Sequence, residues 1–174
     1  MALPLSDRSP RSGVVPAAPR TRYSIENRVG KLVEIRIASP VYIEDAIQWG
    51  RDHDAVIDAV RGPYVCVVDL VDATVFPQNV VEAYVAVMKS EPRLLRTGTL
   101  LNESPTFGMQ IQRMIREANH PARRTFRDPE ELAIWLGEVL DEKERARLAE
   151  MLASRLGGAP SVPGSAPGSA GRRR

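Results

Sequence analysis

The residues best placed for chemistry lie at the ends of two apolar strand patterns. Val68-Asp69-Leu70-Val71-Asp72 closes one of them, and Asn102-Glu103-Ser104 closes the next. Ligands gather at the carboxyl ends of strands in open α/β sheets, so Asp69, Asp72, Asn102 and Ser104 form a possible strand-end ligand site. Paired carboxylates there could bind a cation or work as acid and base. The competing reading makes them turn and cap residues that satisfy local backbone donors. His53 falls with Ile43, Ala46, Ile47, Gly50, Ile57 and Val60 on the apolar side of a helical pattern, and reads as a core or rim histidine. Cys66 sits in the apolar run Tyr64-Val65-Cys66-Val67-Val68 and reads as a small buried hydrophobe. No phosphate loop, dinucleotide-binding turn or nucleophile elbow occurs. With one cysteine and two histidines, neither a disulfide nor a cysteine- or histidine-rich metal centre is expected, and no catalytic residue, metal or cofactor is assigned.

A second grouping is cationic. Arg113, Arg116, Arg123, Arg124 and Arg127 crowd into one short stretch. Helical spacing puts Arg113 and Arg116 on a solvent side, and strand alternation puts Arg123 and Arg127 on one side of an edge strand. Those four form a candidate surface for a phosphate or an acidic partner through forked hydrogen bonds. A solvated face that discourages edge-to-edge sheet pairing explains the same pattern.

These groups need elements to hold them. The chain has 174 residues, 43% hydrophobic and 26% charged, enough for one core. Its net charge of +2 is divided: residues 1–22 and 157–174 each carry +3, leaving −4 on the stretch between. The basic character belongs to the ends, so no specific nucleic-acid binding is expected. Residues 1–22 read as a disordered basic tail, and 157–174 as a disordered Pro/Gly/Ser/Ala spacer ending in arginines. No secretory signal or membrane-spanning run is visible, which makes a soluble cytoplasmic protein the expectation.

Between the tails the pattern alternates. A hairpin turns around Asn27-Arg28-Val29-Gly30, and its second arm places Val33, Ile35 and Ile37 on one face. A helix follows from about Ile43 to Arg61, and then the central strand Tyr64 to Leu70. Helices after Pro77, Ser104-Pro105 and Asp128-Pro129 carry proline or cap-proline starts, with strands Leu94–Leu101 and Ala122–Phe126 between them. Asp141 to Glu144 opens a last helix with a capping-box pattern. The order ββαβαβαβα plus one helix predicts an α/β fold with a mixed sheet.

This order, together with Phe126-Arg127-Asp128-Pro129-Glu130-Glu131-Leu132-Ala133-Ile134-Trp135-Leu136, resembles the SpoIIAA-like branch of the STAS superfamily over residues 23–140. Such domains often end on a short strand finishing in Phe, an acidic cap and an Ala-x-Trp-Leu helix. Anti-anti-sigma members carry a phosphorylated serine in an Asp-Ser-Ser-Gly loop after the central strand. Phe76-Pro77-Gln78-Asn79-Val80 has no hydroxyl there, and Thr74 precedes the position, so sigma-factor regulation does not carry over. The resemblance implies a non-enzymatic regulatory or protein-interaction module with an unidentified protein partner. The alternative is a lipid or small-anion binding domain, since some relatives are compared with the CRAL-TRIO lipid-transfer fold. That alternative needs an apolar cavity between helices and sheet, and weak contact with anionic lipid belongs to it. A carboxylate enzyme using Asp69 and Asp72 comes last.

Residues 141–156 fall outside the resemblance and form an amphipathic helix whose stripe includes Leu148, Leu152 and Leu156. A helix this short is marginal alone in water. Its stripe must fold back on its own domain, or serve as an interaction helix for a partner or a homodimer.

Overall fold

The computed structural model describes residues 22–156, and both tails assigned from the sequence lie outside them except for Arg22. Five strands form one sheet in the order β1-β2-β3-β4-β5: β1 Tyr23–Val29, β2 Leu32–Ile37, β3 Tyr64–Asp69, β4 Leu94–Leu100 and β5 Arg123–Phe126. The β1–β2 pair is antiparallel and the other three pairs are parallel. Helices α1 Ile43–Ala59, α2 Gln78–Lys89 and α3 Pro105–Ala118 cross over between the parallel strands, and α4 Pro129–Gly137 and α5 Glu142–Leu156 follow β5. This is the expected α/β fold with a mixed sheet.

The strand order explains the layers. Crossovers between parallel strands are right-handed, so three that advance in one direction all place their helices on the same face. The alternation within each strand records this. Val33, Ile35, Ile37, Tyr64 and Cys66 join a core with α1, α2 and α3. Leu32, Val65, Val67 and Leu100 face the other way and need a second cover. Residues of α4, α5 and the link between them supply it: Leu132, Leu136, Leu140, Leu148, Met151 and Leu152 are all buried there.

The last helix is therefore part of the sheet's cover. Leu148 and Leu152 are each 1% exposed, which seats the stripe on this chain's own sheet, the first of its two expected destinations, and leaves neither leucine open as an interaction helix. Leu156 alone of the three remains exposed, at 52%. Polar anchors agree. The capping box forms as expected, with Asp141 Oδ1 accepting from the Glu144 amide (2.9 Å) and Glu144 Oε2 accepting from the Asp141 amide (2.9 Å). Glu144 Oε1 also accepts from the Lys31 amide in the β1–β2 turn (2.8 Å). Gly30 in that turn has φ +54°, and a Cβ there would collide with the Glu144 carboxylate. Arg147 holds Glu34 of β2 through two hydrogen bonds of 2.7 Å.

The hairpin turn differs from its expected place. β1 continues through Val29 with an irregularity between Asn27 and Val29, so the turn lies at Gly30-Lys31 rather than at Asn27–Gly30. The Asn27 amide spans that turn, donating to the carbonyls of Gly30 and Leu32 (both 2.9 Å). Among the described residues no helix is long and apolar enough to cross a membrane.

Candidate functional site

The strand-end group comes together, but as structure. Asp69 Oδ1 accepts from the Val71 amide (3.1 Å). Its Oδ2 accepts from Arg155 Nε (2.9 Å), and Asp72 Oδ2 accepts from Arg155 Nη2 (2.5 Å). The Asn102 amide donates to the carbonyls of Val71 (3.2 Å) and Ala73 (2.7 Å), which ties the β3 and β4 ends together. Ser104 caps α3, its Oγ accepting from the Phe107 amide (3.3 Å). These polar groups have local partners, so the turn-and-cap reading describes the site, with Arg155 of α5 as an anchor the strand pattern did not foretell.

The arginine surface also divides. Arg113 pairs with Glu117 one turn on (2.7 Å), Arg127 pairs with Glu103 (3.3 Å), and Arg116 is exposed. Arg123 points the opposite way, into the layer under α1–α3, and its side chain is 5% exposed. The four do not form one surface. Thr97 of β4 pairs in register with Arg123, and Thr97 and Thr99 are buried on the same face. Replacing Arg113, Arg116 and Arg127 together by glutamine should change stability by no more than about 1 kcal/mol, because exposed ion pairs contribute little. A urea titration checks this, and a larger loss would restore the surface as a structural unit.

The interior that Arg123 enters is the candidate site. A cavity of ≈ 80 Å³ lies between the sheet and α1–α3. Its wall is mostly apolar, with Ile35, Val68, Phe76, Met88, Ile111 and Met114 among the lining residues. Trp49 anchors one side, stacked on His53 (5.0 Å between ring centroids) and edge-on to Tyr84 (4.9 Å). Four of the lining residues carry buried polar atoms without a partner: Trp49 Nε1, His53 Nδ1, Tyr84 Oη and Arg123 Nε. Buried polar groups are nearly always satisfied, so four orphans among the residues of one small cavity form an unusual concentration.

At the sheet edge of the cavity a charged knot closes the wall. Glu91, from the loop between α2 and β4, is buried and accepts from Tyr64 Oη (2.9 Å) and from Arg123 Nη2. Arg123 also donates to the Met88 carbonyl (3.1 Å). His53 Nε2 lies 3.2 Å from Glu91 Oε1, and its Nδ1 lies 3.6 Å from Asp54 Oδ1. Burial holds the His53 imidazole below its usual pKa, and the nearby Asp54 carboxylate opposes this only in part. Burial likewise raises the Cys66 thiol to about 12, which keeps it protonated at neutral pH.

Sequence reasoning reached His53 and Cys66 as buried residues and missed the rest of the knot. Glu91 stands in Ser90-Glu91-Pro92, which reads as a solvated turn. Arg123 was assigned to the surface. The usable signal was strand alternation, since Thr97-Gly98-Thr99 places two polar side chains on the face opposite Gly98, which abuts Leu132 and Leu136 of α4.

Comparison with family models, curated proteins and solved structures finds no match to this chain.

Proposed function

We propose that this chain is a non-enzymatic, STAS-like α/β module that binds one small, mostly apolar molecule bearing a carbonyl or carboxyl group. The observation that carries the proposal is the cavity beneath α1–α3, whose mostly apolar lining includes four residues with unpartnered polar atoms, three of them (Trp49, Tyr84 and Arg123) away from the His53–Asp54 pair. Trp49 Nε1 and Arg123 Nε are obligate donors, and the Tyr84 hydroxyl can donate. The ligand they ask for brings acceptor oxygens, and the wall asks for a hydrocarbon body. Arg123 is already neutralised by Glu91, so an uncharged carbonyl, amide or protonated acid suits the chamber better than a carboxylate.

Size narrows the class. A dry engineered cavity of roughly 150 Å³ takes benzene, so a space near half that volume receives only a few heavy atoms without adjustment. Met88 and Met114 in the wall are flexible enough to widen it. A short acyl chain or a single ring fits these limits, and a full-length lipid does not. The STAS-like part rests on the ββαβαβαβα order and the Phe126–Leu136 segment. Its regulatory sense is that occupancy alters the α1–α3 surface offered to another protein.

The test titrates short-chain fatty acids, their amides and small aromatic aldehydes against the Trp49 fluorescence of a Trp135→Phe background. One member should quench saturably, one molecule per chain. Tyr84→Phe separates binding from folding. Removing a buried hydroxyl that has no partner should leave the metal-free, ligand-free protein as stable or up to about 1 kcal/mol more stable, while weakening the ligand about tenfold. No saturable quenching across the series, or a Tyr84→Phe variant destabilised by more than about 1 kcal/mol, would show a structural cavity filled by water.

A further inference from the structure

The knot at the end of the cavity contains three residue types that bind transition metals. His53 of α1, Cys66 of β3 and Glu91 of the α2–β4 loop are all buried, and their ligating atoms lie within 4.8 Å of one another. We infer that they form a three-ligand site for a zinc-class divalent cation, with the fourth position open to the cavity.

The spacing is close to what ligation requires. Two ligands about 2.1 Å from a tetrahedral ion stand about 3.4 Å apart, and a thiolate at about 2.3 Å stands slightly farther from its neighbours. His53 Nε2 and Glu91 Oε1 are 3.2 Å apart. No pair of these atoms is more than 4.8 Å apart, so side-chain rotations have at most about 1.4 Å to close toward the tetrahedral edge. Nitrogen, sulfur and oxygen donors together suit zinc, whereas calcium and magnesium prefer oxygen alone.

The surroundings match a ligand set better than a hydrogen-bonded knot. A metal-bound histidine donates its other ring N–H to a carboxylate or carbonyl. His53 Nδ1 is buried without a partner and faces Asp54 Oδ1 at 3.6 Å, and a neutral imidazole protonated there would give that arrangement. Glu91 is oriented by Tyr64 Oη and Arg123, so the coordinating carboxylate has its own support. Charge sets the fourth ligand. Cation binding displaces the Cys66 proton to solvent, and the metal's two positive charges are balanced by thiolate and carboxylate. Arg123 leaves one positive charge, so the open position favours an anion or hydroxide. The metal would open onto the same cavity as the organic ligand proposed above and draw on the same Glu91, so the two readings are tested separately, the metal on protein free of organic ligand.

The full chain is dialysed with Zn²⁺ or Co²⁺, freed of excess metal and assayed for metal content. One equivalent should remain, and the Co²⁺ form should show a near-ultraviolet thiolate-to-metal band. Cys66→Ser should remove that band and weaken binding at least tenfold, and Asp54→Asn should weaken it by a smaller factor. Tyr84→Phe should bind metal like the wild type, which separates this test from that of the organic ligand. Cys66→Ala serves where the serine variant fails to fold. Absence of bound metal, or equal retention by both Cys66 variants and the wild type, overturns the site.

Discussion

Leu148→Asp combined with Leu152→Asp will unfold the chain rather than release an interaction arm. Both side chains are 1% exposed and join Leu32, Val65, Val67, Leu100, Leu132 and Leu136 in the core behind the sheet. Burying one leucine contributes about 1.5–3 kcal/mol. The double change forfeits two such terms and asks two carboxylates to enter a region without partners. Domains of this size hold about 5–15 kcal/mol in total, so the folded state should not survive. Circular dichroism should show no cooperative melt, and light scattering should show aggregation. Leu148→Ala, which leaves only a cavity, should cost about 2–5 kcal/mol and retain a two-state transition. A double variant that melts within a few degrees of wild type as a stable monomer would detach α5 from the core.

The same helix shows what pattern can and cannot convey. Its start, stripe and charged remainder are local properties and were legible: the Asp141–Glu144 capping box formed as the residues indicated. The stripe's destination is a topological property. It follows from the sheet running in one direction through β2, β3, β4 and β5, which places α1, α2 and α3 together and leaves Leu32, Val65, Val67 and Leu100 uncovered. Element types fix the layers only after strand order is known, and strand order depends on pairings distant in sequence.

The site was less legible for a related reason. Asp69, Asp72, Asn102 and Ser104 lie at neighbouring strand ends as the pattern indicates, yet their partners include an arginine 83 to 86 residues away and, for Asn102, carbonyls in the loop after β3. The cavity draws polar residues from α1, α2, the α2–β4 loop and β5, and no spacing rule links such positions. Arg123 illustrates the ambiguity. In a four-residue edge strand, alternation states that Arg123 and Thr125 share a side, but not whether that side meets water or α3. Its register opposite Thr97 decides the question.

Arg123→Met should be among the most destabilising single substitutions in the protein. The guanidinium is buried with Glu91, and its loss leaves that carboxylate with Tyr64 Oη and His53 but no cation. Breaking a buried pair from one side costs about 3–5 kcal/mol, chiefly through the charge left behind. Removing the charge as well should recover much of the loss. Glu91→Gln keeps an acceptor for Tyr64, so the double variant Arg123→Met with Glu91→Gln should be at least about 2 kcal/mol more stable than Arg123→Met alone, a coupling of the size expected for contacting residues. Denaturant titrations of the metal-free wild type, both single variants and the double variant close the cycle. Additive losses, or a cost below about 1 kcal/mol for Arg123→Met, would mean that water reaches the pair and solvates Glu91. The cavity would then be an open, hydrated cleft, and the four unpartnered atoms of its lining residues would have solvent as their partner.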